Sequence, residues 1–240
     1  MLLIALIFLS GCRQESKPNG DKLVNKAIAA HGMEKILDKA LRFNFREHSY
    51  TAMRTSDQYT YTREHTIDGS TISDILHSSG RFERMVNGME IEVPDSMAVK
   101  YSASVNSVLY FMQLPLVLND KAAIKSYLGD ITIRNSTYHT VRVVFNEEDG
   151  GEDFQDEFRY WINSENMEID YLAYSYLTEG GGVRFREALN KRRVGDILFQ
   201  DYNNYKPNDK SPPLDSLPDM FERGELKLLS TIVNTEITVE

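Results

Sequence analysis

The single cysteine of the chain, Cys12, closes the run Leu9-Ser10-Gly11-Cys12 directly behind the apolar stretch Leu2 to Leu9. Small residues before a cysteine fit the site of a lipoprotein signal peptidase and the thiol can carry a diacylglycerol, so the run reads as a lipobox. The expectation is a signal peptide over residues 1–11, lipidation of Cys12, and a flexible tether over 12–20 (CRQESKPNG) that ties the following domain to a membrane. No Lys or Arg precedes the apolar run, so an upstream start or the terminal amine alone has to supply the positive charge of such a leader. Arg13, in the second mature position, is not the aspartate of inner-membrane retention, which points to the outer membrane.

Other chemistry-bearing residues are fewer. With a hairpin turn at Ser56-Asp57, His48 and His65 fall opposite each other across two strands, close enough to share a metal ion or to serve a hydrolase or lyase. Glu47 and Glu64 point to the other face, and neither His77 nor His139 can be placed beside the pair, so no third ligand is evident and no metal or cofactor is expected. Asp153 and Asp156 form an alternative acidic pair for such an enzyme. The run from Glu147 to Asp153 lacks the alternating ligand spacing of a calcium loop and reads as a solvated hairpin tip. Arg184 and Arg186 share one strand face, with Lys191, Arg192 and Arg193 following, and guanidinium forks of this kind grip carboxylate or phosphate. Glu179, Glu187 and Asp196 lie near enough to neutralise them as cross-strand pairs instead. No nucleophile elbow, triad, P-loop or dinucleotide loop is present.

The elements that must position these residues are mostly strands. The 27 basic and 36 acidic side chains leave a net charge of -9, which argues against a nucleic-acid partner. Leu23, Ala27 and Ala30 recur at helical spacing, with Ile36 and Leu37 after a break at Gly32. From Leu41 the period drops to two, and Asp68-Gly69, Ser79-Gly80 and Asn87-Gly88 punctuate a meander of short strands. Helices are expected at Val105 to Leu118, where Pro115 would kink a hinged lid or mark a break over the sheet, and at Lys121 to Leu128 behind an Asn119-Asp120 cap. Strands resume at Ile131 and, after a Pro-rich excursion and a short helix near Met220, end with Leu226 to Val239. The fold expected is mainly β (α+β): a strongly curved antiparallel sheet or half-barrel of about ten or eleven strands, one domain over 21–240, with an N-terminal helix and a mid-chain helical lid.

Between Met167 and Thr178 both strand faces are apolar or aromatic, so the sheet is expected to be covered on both sides, with aromatic side chains lining a greasy cavity. The residues expected to line it are Phe43, Phe45, Tyr110, Phe111, Leu114, Tyr160 and Tyr174.

Three stretches taken together resemble an uncharacterised family of Bacteroidetes envelope lipoproteins. They are Leu114 to Asp130, Tyr138 to Asp156 with Tyr160-Trp161-Ile162, and Gly181 to Tyr205. In element order that family is similar to the lipoprotein carrier and receptor proteins LolA and LolB, with an N-terminal helix, an antiparallel half-barrel and a helical lid in mid-chain. The resemblance implies a lipid-anchored envelope protein, at the outer membrane on its periplasmic face or the cell surface, that binds a hydrophobic ligand without catalysis. Its partners would be a lipid or other hydrophobic small molecule and the membrane that holds the anchor. An envelope enzyme and a structural lipoprotein with a solid core are the alternatives.

Overall fold

The computed structural model describes residues 19–148, 155–177, 180–209 and 211–240. Cys12, the signal peptide, most of the tether and Asp153 lie outside these residues. Helix α1 (Gly20–His31) begins where the Asn19 side chain accepts from Lys22 N, and ends at Gly32, whose φ of 67° supplies the left-handed cap. Gly20, expected as the last tether residue, is the first residue of the helix. A Cβ at Gly20 would stand 2.8 Å from the Lys125 carbonyl carbon, and its absence lets the helix lie flat on that strand.

A first meander follows: β1 (Ala40–Phe45), β2 (His48–Arg54), β3 (Tyr59–Ile67), β4 (Ser70–His77), β5 (Phe82–Val86) and β6 (Met89–Ile91). Helix α2 (Asp95–Met112) leads to a second: β7 (Ala123–Ile133), β8 (Ser136–Phe145), β9 (Glu157–Asn163), β10 (Ile169–Tyr176), β11 (Gly182–Val194), β12 (Ile197–Pro207) and, beyond the short α3 (Leu217–Glu222), β13 (Leu226–Ile232). The last strand, β14 (Asn234–Val239), returns to pair with β1. Two seven-stranded antiparallel sheets result, in the orders β14-β1-β2-β3-β4-β5-β6 and β13-β12-β11-β10-β9-β8-β7.

Val233 alone separates β13 from β14, so the final strand runs from one sheet into the other. Asp201 takes the Asn234 N–H at 3.0 Å and an Arg192 guanidinium N–H at 3.1 Å, fixing the crossing. The two sheets thus form one curve with free edges at β6 and β7, and α2 is the link between those edges. This is a mainly β, curved and open antiparallel fold.

Three expectations change. The segment Lys121 to Leu128 is a turn followed, from Ala123, by strand, not helix: Ala123 to Tyr127 pair in register with Phe145 to Val141, and the register slips between Tyr127 and Gly129. That bulge, with Gly129 at φ 121°, breaks the two-residue period and hides the strand. The helix expected at Val105 to Leu118 runs instead from Asp95 to Met112. It stops at Gln113, so Pro115, which lacks an N–H to continue it, lies beyond its end and kinks nothing. Among the described residues fourteen strands are present where about ten or eleven are expected, and the stretch ending at Val239 is two of them, divided at Val233.

One buried cluster spans both sheets and carries α1 and α2, with Leu41, Tyr61, Leu109, Val141, Tyr160 and Leu172 among its members. A second, on the opposite face of the β7–β13 sheet, packs α3 against Trp161, Tyr171, Phe185 and Ile133. Both faces of β10 are covered, which is why its sequence is apolar on both sides.

Candidate ligand site on the inner face

The face that carries α1 and α2 is the inner one, and α2 crosses it from sheet to sheet. Over the β1–β6 sheet the helix meets a polar row. Asp74 on β4, fully buried, takes Arg63 of β3 at 2.5 Å and Arg84 of β5 at 2.6 Å. Burial works to raise the Asp74 pKa, but the hydrogen bonds from Arg84 and Arg63 outweigh it and hold the carboxyl below its ordinary value. Arg63 also donates to Ser104 Oγ of α2 at 2.7 Å, and the Arg84 guanidinium lies 3.6 Å from the centre of the Tyr101 ring.

Over the second sheet α2 meets aromatic rings. Tyr110 stands 5.7 Å and Phe111 6.5 Å from Phe158, Phe111 stands 5.3 Å from Tyr174, and the Tyr110 and Tyr160 hydroxyls are 2.9 Å apart. Burial, then the Tyr110 hydroxyl, raises the Tyr160 pKa far above the usual phenol value, so the Tyr160 hydroxyl is uncharged. Of the residues expected from the sequence, Tyr110, Phe111, Tyr160 and Tyr174 meet here, whereas Phe43, stacked on Tyr50, and Phe45 lie on β1 of the other sheet and share with them and Leu114 only the core that spans both sheets. Phe158, which stacks on both Tyr160 and Tyr174, belongs with them and was not singled out. Its alternation with Arg159 and Trp161 was the available signal.

A void of about 10 Å³ remains under α2, bounded by His31, Phe111, Met112, Leu114 and Tyr202, which is room for about one water. Another hollow, of about 490 Å³, is an open cleft of mixed lining at one end of β2, β3 and β4, at Arg54, Tyr59, Thr60, His77 and Arg81. It contains none of the expected site residues.

His48 and His65 meet as the turn at Ser56-Asp57 requires: Ser49 lies opposite Glu64, and the two imidazoles have centroids 4.8 Å apart. Desolvation, then the neighbouring His65 and Arg63, lowers the His48 pKa. A metal ion there would share its surroundings with the Arg63 charge, and no group of three or more metal-binding side chains occurs among the described residues.

The basic cluster disperses. Lys191 pairs with Glu168 and Asp170, Arg192 with Asp201, and Arg193 donates to the carbonyls of Asp196 and Ala30. Of the expected neutralising partners, Glu187 binds Arg134 and Asp196 binds Lys35, while Glu179 lies outside the described residues. Arg184 turns to its neighbour's carbonyl, Val183 O, and to the Tyr176 ring. Arg186, on the inner face, is buried against Phe111, Tyr174 and Tyr202.

A curved antiparallel sheet with helices on its inner face, one of them linking its free edges, defines the LolA-like class of fold. The structure of a LolA superfamily protein from Nitrosomonas europaea is similar over 93% of this chain and 94% of that one, with a TM-score of 0.50 at 10% identity. A domain described as outer membrane lipoprotein-sorting, from Vibrio parahaemolyticus, matches with a TM-score of 0.47 and 10% identity over 92% of each chain. A DUF1329 family protein from Desulfovibrio piger matches at 0.44 and 8% over 92% of each. The chain itself belongs to a family of unknown function, DUF6503, whose model matches residues 1–234. No curated protein is a significant match.

Proposed function

We propose that this protein holds a hydrophobic ligand, an acyl chain or the lipid moiety of a lipoprotein, between its curved sheet and α2. It does so without chemistry, at an envelope membrane to which Cys12 anchors it. The observation that carries this reading is the poor burial of α2 beside a half-buried aromatic cluster. Of the eighteen residues of the helix only Val105, Leu109 and Met112 are buried. Lifting a helix that buries so little apolar surface would give up the Ser104–Arg63 and Tyr110–Tyr160 hydrogen bonds and the contacts of Tyr101 and Phe111 with arginines, and would expose Phe158, Tyr160 and Tyr174 on the sheet to a ligand. Affinity would then scale with buried apolar area, at about 25 cal/mol per Å², which tolerates chains of various lengths. The similarity to a LolA superfamily structure supports the fold in which such a site is built.

Native mass spectrometry with lipid extraction, on the full chain purified from an envelope fraction in a nonionic detergent, tests this. A co-purifying acylated molecule that is lost in a folded Tyr110→Glu variant is expected, since the new carboxylate would stand among the rings that Tyr110 now touches. A clean unliganded mass after incubation with envelope lipids would overturn the reading and leave a solid-cored structural lipoprotein.

A further inference from the structure

We infer that the ligand of the inner face is an anionic amphiphile, a carboxylate or phosphate on an acyl chain, and that Arg186 binds its head. This rests on the carrier reading above and adds the chemistry of the ligand to it.

Arg186 on β11 is 8% exposed, and the surroundings of its guanidinium are aromatic: Phe111 at 3.6 Å, Tyr174 at 5.3 Å and Tyr202 at 5.9 Å from the ring centres. It has five N–H donors, of which one N–H of Nη2 is given to the Tyr174 hydroxyl at 3.1 Å, while the buried Nε has no acceptor. No carboxylate pairs with it among the described residues. The other buried arginines are all paired: Arg54 with Asp120, Arg63 with Asp74, and Arg159 with Glu157 and Asp215. Directly across the strand pair, Asn204 also has a buried side-chain oxygen without a partner.

A buried guanidinium is costly unless an anion or a full set of acceptors compensates it, and for packing alone a methionine would fill the same place at no electrostatic cost. Phe111 of α2 covers the cation, its ring centre 3.6 Å from the guanidinium carbon, while the N–H groups lie in the guanidinium's own plane, where the Nε donor is unfilled. Phe111 therefore screens the guanidinium while α2 is seated, and the rings around it, Phe158 and Tyr174, offer the apolar surface a chain needs. When α2 lifts, the cation–π contact is exchanged for charge-assisted hydrogen bonds, which are the stronger interaction.

Full-length protein in a nonionic detergent, titrated separately with oleate, dioleoyl phosphatidate and oleyl alcohol and read by native mass spectrometry, tests the assignment. Wild type should prefer one or both anions over the alcohol by about 10-fold or more. Preference for oleate alone identifies a carboxylate head, and preference for phosphatidate alone a phosphate. Arg186→Met should bring the anions down to the alcohol's affinity while alcohol binding persists, and Arg186→Lys should keep part of the preference; circular dichroism establishes that each variant is folded. Equal binding of all three probes by wild type, or an anion preference that survives in Arg186→Met, would overturn the assignment and leave the carrier reading standing. Binding of none of them by folded wild type would overturn both.

Discussion

His31 closes α1 with its Nε2 accepting the Ile169 N–H at 3.1 Å, and burial, reinforced by the Lys191 charge, lowers its pKa from 6.5 to about 4. Between those values the unfolded chain binds a proton that the folded chain refuses. The stability due to neutral His31 is therefore complete above pH 6.5 and is lost progressively as the pH falls towards 4. The full effect is about 3 kcal/mol at 1.36 kcal/mol per pKa unit. Urea midpoints measured from pH 7.5 down to pH 4 should fall steeply in wild type and less steeply in His31→Gln, which keeps an acceptor but cannot titrate. Equal slopes would remove His31 from the pH dependence. At this scale the sequence was legible where chemistry is local: the His48 and His65 pairing follows from counting outward from a turn that Thr55 closes with Gln58. The isolation of Arg186 was not legible, since every neighbour that leaves it unpaired comes from another strand or from α2.

Among the elements, α1 was readable from its spacing and the break at Gly32, whereas its Asn19 cap and its seat were not. Gly20 has helical neighbours and looks like an ordinary linker glycine, yet it is pressed against Lys125 and Ser126 of β7. A methyl group there meets backbone rather than a flexible side chain, so Gly20→Ala should cost about 1–3 kcal/mol despite the better helix propensity of alanine. Chemical denaturation measures this, and a neutral or stabilising result would mean that α1 can shift off β7. The strand β7 shows the opposite failure, in which local pattern misleads. Its cap-like Asn119-Asp120 start and bulged register imitate a helix, and pairing with β8 overrides the imitation.

For the molecule as a whole, the crossing at Val233 decides whether two sheets behave as one. Asp201 is 2% exposed and holds Asn234 N, Arg192 and Asn190 at that point. Asp201→Ala would strand the buried Asn234 N–H and take the carboxylate from Arg192, which keeps the Asn190 and Asn234 carbonyls, at about 1–3 kcal/mol. Trp161, the single tryptophan, reports on the β7–β13 sheet alone, while far-ultraviolet circular dichroism reports on both sheets. The shared inner core predicts coincident transitions for the two probes in wild type and an earlier midpoint, with the probes separating, in Asp201→Ala. Coincident, unshifted transitions in the variant would show that the core alone couples the sheets.

Period and punctuation in the sequence were sufficient for the antiparallel meander, the N-terminal helix and the two-sided burial of β10, because strand alternation and turn chemistry act over a few residues. The tertiary structure decided what acts over long separations. It folded Leu226 to Val239 across two sheets, closed α2 over the aromatic face, paired Arg63 and Arg84 on one carboxylate, and left Arg186 buried without one. Charge balance in an interior depends on which strands become neighbours, and that is fixed only when the sheet curves and the helix lies down on it.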